Sequence, residues 1–130
     1  MSSVKKQLEF LNKISYNTKK AQIFVNSEKV TGLKLLFQWQ NHDGHMGARK
    51  FWHEYLPTLQ YYNPALKIDL LRLKNDKRDV EVPCKIEILG RESKILDTIN
   101  MQYKKDNEIM DDLLLKLDHE VVPQDQLVKV

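Results

Sequence analysis

The sequence predicts an α/β domain in which helices pack over a four-stranded mixed sheet. Two strand-like segments, 33–39 and 66–74, flank an amphipathic helical segment at 47–64. This pattern is typical of parallel strands joined by a crossover helix. Two further strand-like segments, 84–89 and 94–101, are separated by a short polar turn, as in a β-hairpin. A second helical pattern follows, so the predicted order is a βαβ unit and then a ββα unit.

The first twenty residues predict a basic amphipathic helix outside the core of the domain. Apolar residues recur at helical spacing, and lysines lie off that line. No apolar segment of a secretory signal follows. Two interpretations stay open, namely an uncleaved mitochondrial import signal and a surface helix docked on the domain.

The strand at 33–39 follows a shorter β segment at 21–25. Leu33, Leu35 and Phe37 point one way, with Lys34 and Gln38 the other, which is typical of a strand with one buried face. Trp39 continues the alternation and is therefore expected in the core. The same expectation applies to the aromatic residues of the next helix, of which Tyr61 is the best candidate for an exposed base-stacking ring.

The central helix begins near Gly44 and Gly47 and ends at Asn63, because Pro64 disfavours helical geometry at the residue before it. Pro57 predicts either a kink or a helix that restarts with this proline in its first turn. The stripe expected to face the sheet contains Phe51, Tyr55, Leu59 and Tyr62, with Trp52 and Leu56 beside it.

The chain of 130 residues is expected to form one domain without a membrane span. The last helix is predicted at 104–117. Residues from 118 onward have no clear period, so they are interpreted as an extension that becomes ordered only on a partner. The predicted division is a core at about 21–118, a basic N-terminal helix at 1–20 and a C-terminal tail at 119–130.

The predicted order of elements is the thioredoxin-like arrangement. In that fold a proline, usually after a cis bond, begins the third strand, and Val82-Pro83 occupies that place. Oxidoreductases of the class carry their redox residues in the loop between the first strand and the first helix, which here contains no cysteine. The single cysteine, Cys84, lies on a strand and is expected to be a buried, inert thiol. The sequence therefore predicts no enzymatic activity.

The central helix contains a motif that begins Gly47-Ala48-Arg49-Lys50-Phe51 and continues Leu56-Pro57, Leu59 and Tyr62-Asn63-Pro64. This motif resembles the signature of a redox-inactive thioredoxin-like domain shared by mitochondrial ribosomal proteins and a small accessory subunit of respiratory complex I. The resemblance covers about residues 33–117, and at whole-chain level it is to a fungal large-ribosomal-subunit member. It implies a structural component of the large subunit in the mitochondrial matrix that contacts ribosomal RNA and neighbouring ribosomal proteins. The alternative is a non-catalytic accessory subunit of a respiratory complex.

The charge distribution favours RNA as the partner of the first half of the chain. Residues 1–50 contain nine Lys or Arg and three Asp or Glu, whereas residues 51–130 contain twelve and fifteen. Amide groups at a helix start attract anions, and cations beside them strengthen the positive potential. The candidate RNA-binding residues are Lys5, Lys6, Lys13, Lys19, Lys20, Gly44, His45, Gly47, Arg49 and Lys50. Reversing the charges of Arg49 and Lys50 is expected to reduce incorporation into the large subunit more than reversing those of Lys104 and Lys105. The latter two lysines lie in the acidic half of the sequence.

The loop before the central helix contains residue types that occur in metal sites. His42, Asp43 and His45 lie close together in the sequence, and His53 follows. A closed zinc site needs four rigidly held ligands, whereas this loop contains glycine and is expected to be exposed. We therefore expect no metal and no other cofactor.

Overall fold

The computed structural model describes residues 6–7, 19–40, 42, 44–75 and 82–126. Three α-helices lie wholly within these residues: α1 (Met46–Glu54), α2 (Leu56–Tyr62) and α3 (Asp106–Lys116). The strands in the same part of the chain are β1 (Ile23–Val25), β2 (Gly32–Gln38), β3 (Lys67–Leu73), β4 (Lys85–Leu89), β5 (Ile95–Asn100) and β6 (His119–Val121). Short 3₁₀ turns occupy Lys19–Ala21, Arg91–Ser93 and Gln124–Gln126.

The main sheet has four strands in the order β3-β2-β4-β5. Strand β2 runs parallel to β3 and antiparallel to β4, which pairs antiparallel with β5. The predicted mixed four-stranded sheet is therefore confirmed. Gly32 at the start of β2 lies beside Lys67 and Leu89, so the β4–β5 turn is at this end, which we call the hairpin end. The opposite end, where β2 and β3 finish and α1 begins, is called the α1 end.

The core lies between one face of the sheet and the helices. Leu35 and Phe37 of β2 belong to the same buried cluster as Phe51 of α1 and Leu113 of α3. Helix α3 packs against α1, so both cover this face. On the other face, Leu36 is only half-buried and its neighbour in register, Leu71, is exposed. The described domain therefore has one layer of helices on one layer of sheet.

The central helical segment is divided into two helices, which confirms a restart at Pro57. Helix α1 ends at Glu54, and α2 begins at Leu56 with Pro57 in its first turn. Proline is favoured there because the first turn of a helix has no internal partner for the missing N–H.

Asn63 ends α2 and joins it to β1. Its side-chain oxygen accepts the N–H of Val25 at 2.7 Å. Its amide nitrogen donates to the carbonyl oxygens of Ile23 and Leu59 at 2.8 and 2.9 Å. The asparagine in the motif thus satisfies backbone groups on the edge of β1 that would otherwise lack a strand partner.

The beginning of the predicted tail is ordered within the domain itself. Strand β6 pairs antiparallel with β1, and Val122 after it is buried. The prediction that this segment orders only on a partner is therefore wrong for residues 119–121. A strand of three residues is too short to show a period, and its partner lies almost one hundred residues earlier in the chain.

Two further predictions concern the backbone. The predicted cis peptide at Val82-Pro83 is wrong, since no described residue has a cis bond; the trans form is the intrinsically preferred isomer even before proline. Lys6 and Gln7 are helical and exposed, Lys19 and Lys20 belong to a 3₁₀ turn, and the other residues of the predicted N-terminal helix lie outside the described part of the chain. No helix that the structure describes has the length and apolar character needed to cross a bilayer.

Candidate functional site

The α1 end of the sheet brings together three parts of the chain. The loop after β2 leads into α1, β3 finishes beside it, and the segment after β5 leads into α3. The N–H of Tyr103, in that last segment, donates to the carbonyl oxygen of Gly44 at 2.9 Å. In open α/β sheets the carboxyl ends of parallel strands are the usual place for a ligand.

Both glycines of the loop are required by close packing. Gly44 has a φ of +81°, which favours glycine, and it lies against Tyr103. A Cβ at Gly47 would overlap the carbonyl oxygen of Lys104. The glycines that the sequence associates with a bound phosphate thus also have a structural role, because they let the first turn of α1 approach residues 103–105.

A groove of about 500 Å³ opens where these segments meet. Its lining includes Met46, Gly47 and Lys50 on one side and Lys104 and Lys105 on the other. Lys104 is paired with Asp112, with Nζ and Oδ2 2.7 Å apart, whereas Lys50 Nζ is 4.0 Å from Asp106 Oδ1. Although Lys104 and Lys105 lie in the acidic half of the sequence, folding places them beside Lys50 at the start of α1.

The histidines of the loop make polar contacts with backbone groups at the strand ends. His45 is only 1% exposed, and its Nδ1 accepts the backbone N–H of Gln38 at 3.1 Å. The ring Nε2 of His42 lies 3.2 Å from the carbonyl oxygen of Asn75. The expected exposure of His45 is therefore wrong. Asp43 lies outside the described residues, and within the described ranges no three potential metal ligands come together.

Part of the sequence's charge asymmetry is neutralised within the fold. Lys20 Nζ is 2.8 Å from Asp111 Oδ1, and Lys29 Nζ is 3.1 Å from Asp118 Oδ2. Both pairs are well exposed, so they contribute little to stability, but they place acidic groups beside cations of the basic half. Lys6 is exposed. Among the other predicted contacts, Lys5, Lys13 and the side chain of Lys19 are outside the described part of the chain.

The structure adds a cluster that the sequence interpretation missed. The guanidinium carbon of Arg72 lies 3.7 Å from the ring centroid of Trp39, and 5.2 and 5.4 Å from those of Trp52 and Phe37. Trp39 is 53% exposed, so the expectation that it lies in the core is wrong. Its strand ends at Gln38, so the alternation no longer predicts its surroundings. In the sequence, the cluster is indicated by Arg72 itself, a charged residue at an inward-facing position of β3 that follows apolar residues on the same face.

The electrostatic surroundings of Arg72 favour a bound anion. Burial, first, and then the nearby charge of Arg49 lower the pKa of Arg72 from its usual value. Its Nε is buried, and no described residue hydrogen-bonds to it. The guanidinium groups of Arg72 and Arg49 repel each other. An anion bound on the solvent side of both groups would be attracted by both charges and would offset this repulsion.

Cys84 lies near this end of the sheet, in surroundings that disfavour the reactive thiolate. The side chain is buried, and burial raises the pKa of its thiol to about 12. The thiol is therefore protonated at neutral pH, whereas disulfide exchange requires a thiolate.

The protonated state of the Cys84 thiol leads to a testable prediction. The protein should show no turnover in an insulin-reduction assay, and Cys84→Ser should preserve its association with its partners, measured by co-sedimentation. Turnover that disappears in the Cys84→Ser protein would contradict the assignment of an inert thiol.

The fold and this end of the sheet define an α/β domain with an inert thiol and a surface that concentrates arginine and lysine. Residues 48–108 match the Mitochondrial ribosomal protein L51 / S25 / CI-B8 domain. The whole chain is similar to large ribosomal subunit protein mL61 of Saccharomyces cerevisiae, with 52% identity over 100% of this chain and 95% of that protein. The mL61 of Neurospora crassa is 42% identical over 50 residues, which are 38% of this chain and 25% of that protein. The chain belongs to the family of large ribosomal subunit protein mL61.

Proposed function

We propose that this chain is a structural, non-catalytic component of the large subunit of the mitochondrial ribosome. The observation that carries the proposal is the 52% identity with the Saccharomyces cerevisiae protein along the full chain. The finer identification, with the fungal large-subunit protein designated protein 49, is part of this proposal and rests on the whole-chain resemblance of the sequence. The partners are ribosomal RNA and neighbouring ribosomal proteins, the location is the mitochondrial matrix, and no cofactor is involved.

The fold proposed for this role is a redox-inactive thioredoxin-like domain. A βαβ unit followed by a ββα unit, with strand order β3-β2-β4-β5, supports that assignment. The raised pKa of the Cys84 thiol supports a role without redox chemistry.

The RNA contacts are proposed at the α1 end of the sheet. Arg49 and Lys50 are exposed on the first two turns of α1, and Lys105 is exposed across the groove. Phosphate groups are attracted both by these cations and by the amide groups at the helix start. The surface is built from both halves of the sequence, and Asp106, which also lines the groove, offsets part of its positive charge.

Sedimentation of the tagged protein tests the proposed function. In a sucrose gradient of mitochondrial lysate, the protein should move with the RNA of the large ribosomal subunit. Respiratory complexes solubilised in detergent serve as the comparison. Migration with those complexes would instead support an accessory respiratory subunit, and migration as free protein would reject both assignments.

Charge reversal tests the proposed RNA surface. Arg49→Glu with Lys50→Glu should reduce incorporation into the large subunit severalfold or more. Each lost phosphate contact should also make the log–log salt dependence of RNA binding shallower by about 0.7 to 0.9. Arg91→Glu with Lys94→Glu is the matched control, because it reverses one exposed arginine and one exposed lysine at the hairpin end.

Lys104 and Lys105 are unsuitable as that control, since they line the same groove. Reversing them should also weaken incorporation, by less than the first pair because Lys104 is already paired with Asp112. Equal incorporation of the Arg49/Lys50 variant and the Arg91/Lys94 variant would place the docking surface elsewhere on the protein.

A further inference from the structure

Trp39 presents an aromatic surface to the solvent at the α1 end of the sheet. The guanidinium of Arg72 lies at stacking distance over its ring, 3.7 Å from the centroid, and covers one ring face. More than half of the residue is nevertheless exposed. Because the guanidinium covers one ring face, the part of Trp39 that the solvent reaches lies outside this contact.

Arg72 holds the ring in this position and brings a positive charge beside it. Its neighbour in register, Phe37, and the half-buried Trp52 flank the guanidinium on the core side. The planar guanidinium thus has aromatic neighbours on the protein side, and none of the described carboxylates forms an ion pair with it. Its remaining hydrogen-bond donors are suited to the oxygens of a phosphate group.

The combination suits one class of ligand. A flat ring with an open face stacks on any base that is not already paired, and the adjoining arginine contacts the phosphate of the same nucleotide or the next. A duplex has no free base face to offer to Trp39. An acidic protein segment would satisfy the arginine but would leave the open indole face without an equivalent partner.

We propose that Trp39 and Arg72 form a contact for one unpaired nucleotide of ribosomal RNA, with the base stacked on Trp39 and a phosphate bound by Arg72. This inference rests on the proposed function and specifies what the RNA must supply there, namely a single-stranded or bulged nucleotide. Arg49, whose charge reaches Arg72, adds attraction for the neighbouring phosphate.

Two oligonucleotides with equal charge separate stacking from phosphate binding. The probes are a labelled decamer of uridylate and a decamer of abasic residues with the same number of phosphates, measured by fluorescence anisotropy. The wild-type protein should bind the uridylate decamer about tenfold tighter, which corresponds to the usual contribution of one stacked base. Trp39→Ala should remove this difference and leave the salt dependence unchanged. Trp39→Phe, which keeps a ring, should retain most of it.

Substitution of Arg72 should have a different signature. Arg72→Gln should weaken binding of both decamers and reduce the log–log salt slope by about 0.7 for one single-strand phosphate. Arg72→Lys, which keeps the charge but loses the planar group, should restore the slope and only part of the affinity. Thermal unfolding followed by circular dichroism establishes that each variant is folded before it is compared.

The control for the ring is Tyr61→Ala. The sequence favours Tyr61 as the base-stacking ring and the residue is exposed, but it lies near Lys67 at the hairpin end, away from the pair of Trp39 and Arg72. Its loss should change neither decamer's affinity. An equal effect of Tyr61→Ala and Trp39→Ala would mean that exposed rings bind the probe without a dedicated site, and would overturn the proposal.

The remaining outcomes separate this inference from the proposed function. Suppose that the wild-type protein enters the large subunit, and that folded Trp39→Ala binds the uridylate decamer as tightly as the wild-type protein does. The proposed nucleotide contact is then wrong, and the proposed ribosomal role stands. If Trp39→Ala binds both decamers normally but no longer enters the subunit, the site docks a protein instead. Failure of the wild-type protein to enter the subunit would reject the proposed function itself, whatever the decamers show.

Discussion

Replacing Phe51 by alanine should lower the free energy of unfolding by about 3–5 kcal/mol. Phe51 is fully buried in α1 and stacks on Tyr55, with ring centroids 5.8 Å apart. Its removal would take away both the apolar contacts and the packing that holds α1 on the sheet. Leu59→Ala in α2 should cost about 2–5 kcal/mol for the same reason. Equilibrium unfolding in denaturant, followed by circular dichroism, measures both losses.

Met46→Ala is the control, because Met46 lies on the same helix but is 57% exposed. Its effect should stay within about 0.5 kcal/mol, as for most surface substitutions. Losses of that size at both Phe51 and Leu59 would contradict the observed packing of the two helices. They would mean that the central segment rests on the sheet through another face.

Replacing Gly47 by alanine should also destabilise the domain, by about 1–3 kcal/mol or more. On a free helix, alanine would be favoured over glycine by about 0.8–1 kcal/mol. Here the added Cβ would overlap the carbonyl oxygen of Lys104, and a backbone atom cannot move aside as a side chain does. Packing therefore outweighs helix propensity at this position, and the melting temperature should fall.

Gly90→Ala is a matched substitution with a smaller expected effect. Its Cβ would meet only side-chain atoms of Leu96, at 3.0–3.1 Å, and Leu96 is largely exposed and can rotate away. A Gly47→Ala protein with wild-type stability but reduced incorporation into the ribosomal subunit would reverse our interpretation. Gly47 would then serve the approach of a phosphate rather than the packing of α1 against residues 104–105.

Much of the fold follows from local patterns in the sequence. The alternation of Leu33, Leu35 and Phe37 identifies a half-buried strand, and Pro57 identifies the restart of the central helix. The order of strands and helices limits how they can be connected, since parallel neighbours need a crossover and a hairpin does not. The motif that ends in Asn63-Pro64 likewise identifies the end of a helix directly from the sequence.

The candidate site follows from the sequence only in part. Arg49 and Lys50 are recognisable as cations at a helix start, and the structure leaves both exposed. His45 was misinterpreted because a histidine between glycines resembles a surface loop, whereas its ring nitrogen accepts a buried backbone N–H. Trp39 was misinterpreted because alternation predicts burial only as far as the strand continues.

The sequence by itself determined the order of the elements, the buried stripes and the position of the helix break, all of which depend on residues within one or two turns of each other. Only the tertiary structure decided which distant residues meet. It brought Arg72 onto Trp39, placed Lys104 and Lys105 beside Lys50, and paired β6 with β1. These contacts depend on how the sheet orders its strands and on how α3 lies against α1. Periodicity indicates which face of a helix or strand is buried, but it does not indicate which neighbouring element covers that face.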